Sequence, residues 1–413
     1  MILIKYGGYK MNVFLLGNGF DLHHKFPTSY LNFLNTMKFL VEKYDDSFAT
    51  VAHVFGNDEL QEKDEFIKKC YEQHSGVYKT TLLPKDKIKD MITHIKDNMW
   101  FNYLSNSVAK DIKWIDFEKE IIRVLEAFSS LLDCNEGFSL INGGVTFSLS
   151  ALEVDVEDRY ILSQFNFFYD KDLQSGSSSM KRMKDEYVFE KIAGSNAYHF
   201  AKDEMASGLY TSLRELTDVL KDYLLYFVDA PSKEYDNLGI EPRFRSLPTP
   251  NRVYSFNYTN TIQILYSNAM VDHIHGNTNT NIVLGVNPDE NDNVESADTT
   301  FLQFKKYFQR VFFNTDIDFI KSMDFVVRTP RSNDTKLYVI GHSLDSTDKD
   351  VIKQIFESVK TIIILYHSET SVKNQIKNLV EIYGKEGLDM LRQEKSLVFL
   401  PQSEIQWVTS QNS

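Results

Sequence analysis

Hydrophobic positions along the chain fall into two textures. Near the start, Val13-Phe14-Leu15-Leu16 is an unbroken apolar run that stops at Gly17. A strand buried on both faces reads this way, because both sides of its pleat need apolar side chains. From Tyr30 the spacing changes. Tyr30, Phe33, Leu34, Met37, Leu40 and Val41 recur every three or four residues, which predicts a helix that Thr28 or Ser29 can cap. After Pro248 and Pro250 the strand texture returns in RVYSFN (252–257), HIHGN (273–277), IVLGV (282–286), KLYVIGHSL (336–344), TIIILYHS (361–368) and LVFLP (397–401). Helical patterns over 347–359 and 370–384 lie between them.

Strands alternating with helices predict an α/β fold with a Rossmann-like parallel sheet. Its first strand comes from the N-terminal end and the others from the C-terminal third. Between them, from about residue 50 to 250, the chain is charged, helical in pattern and rich in Phe and Tyr. The expected organisation is therefore a nucleotide-binding core from 11–48 plus 248–413, and a mainly helical insertion domain over 49–247. LQSGSSSMK (173–181) reads as a loop. No internal repeat is visible. Met11 opens the first clean strand, so Met1–Lys10 is expected to be dispensable or to result from an upstream start.

Composition narrows the classes. At 413 residues, with 42% hydrophobic and 13% aromatic content, the chain can bury a large core. The net charge of −13 opposes sequence-independent binding to nucleic-acid phosphate. Two cysteines, Cys70 and Cys134, allow no disulfide framework and no four-cysteine zinc site, which fits a reducing cytoplasm. No apolar run nears the ~20 residues that span a bilayer, so no membrane partner is expected.

Four stretches carry candidate chemistry, each at the predicted C-terminal end of a strand. Gly17-Asn18-Gly19 follows the first strand, with Asp21, Pro27 and Thr28 beyond it. Glycines there allow positive φ and close backbone approach, so the turn reads as a cradle for a pyrophosphate, with Asp21 as a ribose partner or simply a cap. Asn257 ends the strand of SFNYTN, either as a site residue or as part of a turn. His273 and His275 are two apart and would share one face of a strand. Gly341-His342-Ser343 ends the strand of LYVIGHSLDSTD, where Asp345 is a hydroxyl partner and Ser346 or Thr347 a helix cap. In open α/β sheets the C-terminal rim is where ligands bind, so the four stretches converge on one crevice. In WIDFE (114–118) and just after it, Asp116 and Glu120 stand four apart. They read as acids at a helix N-terminus or as negative charge facing the crevice.

GNGFDL…PTSY, WIDFE, SFNYT, HIHGN and VIGHSLDSTD together resemble the AbiH family of bacteriophage abortive-infection proteins. That pattern is in turn similar to sirtuin-like NAD-binding domains. The resemblance implies that Gly17, Asn18, Gly19 and Pro27 take the places of the Gly-Ala-Gly turn and the later proline. Asn257 takes the place of the catalytic asparagine and His275-Gly276 that of the His-Gly pair. Gly341-His342-Ser343 takes that of Gly-x-Ser. Thr259 stands where the sirtuin-like motif has Asp, and the cysteines needed for its zinc module are missing. The activity this implies is NAD binding with hydrolysis to nicotinamide and ADP-ribose, in defence against phage. His275 and Asn257 would be catalytic. Gly17, Asn18, Gly19, Asp21, Pro27, Thr28, Thr259, Gly276, Gly341, His342, Ser343 and Asp345 would bind the nucleotide.

The expected partners are NAD or a related nucleotide, a phage-derived trigger and further copies of the chain; no metal is expected. Two other classes compete. A nucleotide-sensing module would use the same glycines without chemistry. A metal-dependent nuclease would use Asp21, His23, His24, His273, His275 and His342.

Overall fold

A computed structural model of the chain describes residues 11–108, 115–133, 138–141, 144–145, 147–148, 155–165, 168–170, 180–183, 190–191, 197–238, 243–244, 247–265, 269–287, 299–328, 335–404 and 407–408. Trp114, Cys134 and most of the 173–181 stretch lie outside these residues, as does Met1–Lys10. Two compact units divide the chain, one from residues 1–88, 220–283 and 310–413, the other from 89–219 and 284–309.

The first unit is built on six strands: β1 (Asn12–Leu16), β2 (Arg252–Ser255), β3 (Met270–His273), β4 (Lys336–Ile340), β5 (Thr361–Tyr366) and β6 (Ser396–Pro401). All pair in parallel, in the order β3-β2-β1-β4-β5-β6. β1 lies at the centre, with Leu16 level with Ser255 of β2 and Ile340 of β4. The chain builds outward from β1 to β3 on one side, then restarts at β4 on the other. That reversal is a topological switch point, and the C-terminal ends around it form the crevice of an open α/β sheet.

The apolar run of β1 is explained by its two covered faces. Val13 and Leu15 pack in one core with Leu337, Val339, Ile352 and Ile364. Phe14 and Leu16 pack in another with Tyr338, Ile340 and Leu365. Ser29 caps the helix Tyr30–Lys43 through a reciprocal capping box with Asn32, the role the sequence offered to Thr28 or Ser29.

Several boundaries differ from the sequence reading. The strand expected at 273–277 runs instead from Met270 to His273, so His275 lies beyond it and the two histidines share no strand face. IVLGV joins no sheet; Val286 makes one isolated bridge, to Lys305. The helix read as 370–384 runs Glu369–Glu394, broken at Gly384, whose φ is +67°. Among the described residues, no helix is long and apolar enough to cross a membrane.

The second unit adds short antiparallel strands, such as Phe138–Ile141 against Gly144–Val145, to its helices. Its WIDFE acids are used internally. Asp116 caps the helix Phe117–Asp133, accepting from the N–H groups of Glu118 (3.1 Å) and Lys119 (3.3 Å). It therefore precedes the helix and is not its facing partner to Glu120. Glu118 pairs with the buried Lys306 at 2.8 Å, and Glu120 accepts from the Tyr103 hydroxyl at 2.7 Å.

The glycines that end β1 hold the centre of the sheet. A Cβ on Gly19 would sit 2.8 Å from the Cα and carbonyl oxygen of Gly341, backbone atoms that cannot swing aside. Gly19→Ala is therefore expected to cost about 1–3 kcal/mol, read as a lower urea midpoint. Gly76, inside the helix Glu65–Thr80, has nothing within 4 Å of its Cβ position. Gly76→Ala should be neutral or stabilising by up to about 1 kcal/mol. Equal losses at both positions would contradict the interlock.

Candidate functional site

All four stretches singled out in the sequence lie at the C-terminal rim of the sheet. Gly17-Asn18-Gly19 follows β1, Asn257 follows β2, His275 follows β3 and Gly341-His342-Ser343 follows β4. The reason lies in the parallel topology, which sends every strand's C-terminal end to one edge.

The two glycine turns interlock. Gly17 donates its N–H to the Ile340 carbonyl (3.1 Å), and Gly19 donates to that of Gly341 (2.8 Å). Among the described glycines, left-handed φ belongs to Gly276 (+75°), Gly341 (+65°) and Gly384, not to Gly17 or Gly19. Their glycine requirement is close approach: a Cβ on Gly17 would lie 2.6 Å from the His342 Cα. The expected cradle is corrected accordingly, since the N–H groups of Gly17 and Gly19 are spent within the fold. Asn18 and Ser343 are exposed at the lip, and Asn18 accepts from the Thr28 hydroxyl. The buried Pro27 contributes its carbonyl to the Tyr223 hydroxyl (2.7 Å). At Gly276 a Cβ would fall 1.8 Å from the Asn281 carbonyl oxygen. The helix cap after β4 also differs. Asp345 accepts from the Thr347 N–H (3.1 Å), and Asp348, not Ser346 or Thr347, stands at the N-cap of Lys349–Ser358.

The predicted side chains gather into two groups that meet at Phe256-Asn257. On the Asn257 side, Asp21 is 1% exposed. Its Oδ2 accepts from the Thr259 hydroxyl (2.6 Å) and from Asn257 Nδ2 (3.2 Å). Oδ1 of Asp21 and Oδ1 of Asn257 are both buried without a hydrogen-bond partner. While the Asp21 carboxyl is neutral its proton sits on Oδ1, because Oδ2 already accepts twice, and the Thr261 hydroxyl also bears on that carboxyl; buried oxygens left unpaired are costly. The next residues serve another acid. Asp229, fully buried, accepts from the Asn260 N–H (2.9 Å), from Asn260 Nδ2 (2.8 Å) and from the Thr278 hydroxyl.

On the Phe256 side, His275 Nε2 lies 2.9 Å from Asp348 Oδ1, and His342 Nε2 lies 3.9 Å from Asp348 Oδ2. The Leu344 N–H donates to His342 Nδ1 (2.8 Å), which fixes the proton on Nε2, toward the acid. Leu344 takes a left-handed φ of +57° to do so, a strained conformation for a bulky side chain. The Phe256 ring stands edge-on to both imidazoles.

Three other predicted histidines, His23, His24 and His273, have other partners. His273 donates through Nδ1 to the Asn257 carbonyl (3.0 Å) and accepts at Nε2 from Gln263 (2.6 Å). Burial lowers its pKa. His24 Nδ1 donates to the Phe20 carbonyl (2.8 Å), and burial brings His24 down to about 4. His23 falls to about 3, through burial and then the neighbouring His24. The nuclease ligand set thus does not assemble: His24 and His273 are engaged elsewhere, and His275 stands with Asp348. Among the described residues no three of His, Cys, Asp and Glu are placed to hold a metal.

Sequence reading missed Asp348 and Asp229. Asp348 lay in plain view within VIGHSLDSTD, three residues after the acid chosen. Asp229 was signalled only as a lone acid in the apolar run of DYLLYFVDAP.

Burial holds the Asp21 carboxyl up at about 7, opposed by the Thr259 hydrogen bond and reinforced by the nearby Asp229. From about pH 4 to 7 the unfolded chain has released this proton while the folded chain keeps it. Raising the pH through that window therefore favours unfolding. Stability of the wild type should fall relative to Asp21→Asn by up to about 1.4 kcal/mol per pH unit between pH 4 and 7, and the difference should level off above 7. Urea titrations giving parallel curves for the two proteins would contradict this.

Comparison with known proteins identifies the family. A family model described as Bacteriophage abortive infection AbiH matches residues 13–367, from β1 through β5 and both groups at the rim. No curated protein and no solved structure matches. The chain belongs to the AbiH family of bacteriophage abortive infection proteins.

Proposed function

We propose that the rim binds NAD through its nicotinamide-side ribose and hydrolyses the nicotinamide–ribose bond. The family points to abortive infection, in which depletion of a central metabolite is one way to halt a phage. The observation that carries the reading is the pair of buried oxygens without a hydrogen-bond partner, Asp21 Oδ1 and Asn257 Oδ1, at the C-terminal rim of a parallel sheet. A vicinal diol can donate to Asn257 Oδ1 and either accept from Asp21 Oδ1 while that carboxyl is protonated or donate to it once ionised, and the ribose of a nucleotide presents such a diol. Asn18 and Ser343 offer side-chain donors at the lip for the phosphates, in place of the spent glycine amides.

The chemistry follows from the second group. Water attacks the ribose C1′ as the bond to the nicotinamide nitrogen breaks. The bonding pair leaves with nicotinamide, which departs neutral, so no acid is needed for it. His275 takes the water proton as general base. With Nε2–H donating to the Asp348 carboxylate, Nδ1 is its lone-pair nitrogen, and Asp348 steadies the imidazolium that forms. Such a base contributes typically about 10²–10⁴-fold. A phage-derived trigger belongs to this proposal, because unrestrained NAD cleavage would harm an uninfected cell.

The sensing alternative uses the Asn257 group, in which Asn257 and Thr259 bind Asp21. A module that binds NAD without cleaving it would need only that group.

Purified protein incubated with NAD, with nicotinamide read by chromatography, separates the two. Release by wild type, reduced at least about 100-fold in His275→Ala and in Asp348→Asn, supports hydrolysis. Bound but intact NAD supports sensing. Absence of binding in calorimetry sinks both.

A further inference from the structure

The helix that carries Asp229 is irregular for an identifiable reason. Lys202–Leu224 is α-helical, Leu225–Asp229 is a π-helical turn, and Ala230–Leu238 returns to α. Pro231 follows directly. Its ring lacks an N–H and collides with the carbonyl four residues back in an α-helix. Widening the turn relieves that contact, and the Ala230 N–H reaches back five residues to the Leu225 carbonyl. The extra residue sets Asp229 at the end of the widened turn, fully buried, with its carboxylate bonded to two loops. One loop follows β2, through Asn260; the other follows β3, through Thr278. Asn260 Nδ2 also lies 2.6 Å from the Thr278 hydroxyl, tying the loops together.

These are the loops that carry the rim. Asn257 and Thr259 reach Asp21 from the first, and His275 and Gly276 open the second. The segment Asn257–Asn260 is thus held by two buried acids, Asp21 through residues 257 and 259 and Asp229 through residue 260. We propose that Asp229 is a positioning residue of this crevice, holding the loops after β2 and β3 so that Asn257 and Asp21 present their unpartnered oxygens together. Its consequence for NAD rests on the ribose reading above; its coupling to Asp21 does not.

The charged groups bearing on Asp229 are Asp21 and, from the next turn of its own helix, Lys233. Asp229 is the charged group that bears on Asp21, the other groups on that carboxyl being Thr259, Thr261 and Asn257. An acid too remote to face Asp21 would leave its titration unmoved. A positioning acid facing it would not, because removing a like charge makes the remaining carboxyl easier to ionise.

The test is a cycle of Asp229→Asn, Asp21→Asn and the double variant, measured as urea stability from pH 4 to 8, with NAD binding by calorimetry. Asp229→Asn should move the Asp21-dependent loss of stability to lower pH by about half a unit or more. That shift should vanish in the Asp21→Asn background. NAD binding should weaken about 10-fold or more. An unmoved pH profile overturns the proposal, whatever NAD does. A moved profile in a protein that never binds NAD upholds the coupling and removes the ribose reading alone. Should Asp229→Asn fail to fold, Thr278→Val and Thr278→Ser carry the test. Serine keeps the hydroxyl and should bind NAD as wild type does, while valine should lose at least about 3-fold. Equal behaviour of the two overturns the proposal.

Discussion

The interlock between the turns after β1 and β4 is the constraint on which the rim depends. Two N–H groups cross from Gly17 and Gly19 to the carbonyls of Ile340 and Gly341, at a separation that no side chain permits. The clasp closes the backbone at the point where the strand order reverses, which in a dinucleotide-binding sheet is where a pyrophosphate meets free amides. Here those amides are used, and side chains supply the polarity at the rim: Asp21 just beyond one turn, His342 within the other.

Around the clasp the protein separates two electrostatic environments with a single dipeptide. Phe256 presents its edge to two imidazoles that share one carboxylate, Asp348. Asn257 donates to an acid that burial keeps protonated up to about 7. One group suits proton transfer and the other suits recognition of hydroxyls. The strain at Leu344 and the π-helical turn before Pro231 both serve this arrangement, the first by fixing the tautomer of His342 and the second by directing Asp229 to the loops. Local irregularities of this kind gather where positioning matters more than local stability.

Much of the frame was legible in the sequence because its signals are strong. Val13-Phe14-Leu15-Leu16 stopping at a glycine reads as a central parallel strand, and β4 and β5 carry similar runs. Once the sheet is parallel, placing Asn257, His275 and Gly341 at one rim follows from topology. What failed did so for physical reasons. A stretch such as Gly17-Asn18-Gly19 cannot reveal whether its amides point to a ligand or to Ile340 and Gly341, far along the chain. HIHGN reads as a strand because Ile and His tolerate one, yet Gly276 forces the chain to turn, and pairing with β2 ends at His273. Asp229 is invisible to motif reading because its partners, Asn260 and Thr278, meet it only in three dimensions.

The central claim is that the unpartnered oxygens of Asp21 and Asn257 receive the diol of a ribose. A crystal structure of the chain grown with ADP-ribose tests it most directly. The account predicts a ribose at the rim beyond β1 and β2, its hydroxyls within hydrogen-bond distance of both oxygens, with Asn18 and Ser343 beside the phosphates. A ribose held elsewhere, with both oxygens still lacking partners, would contradict it.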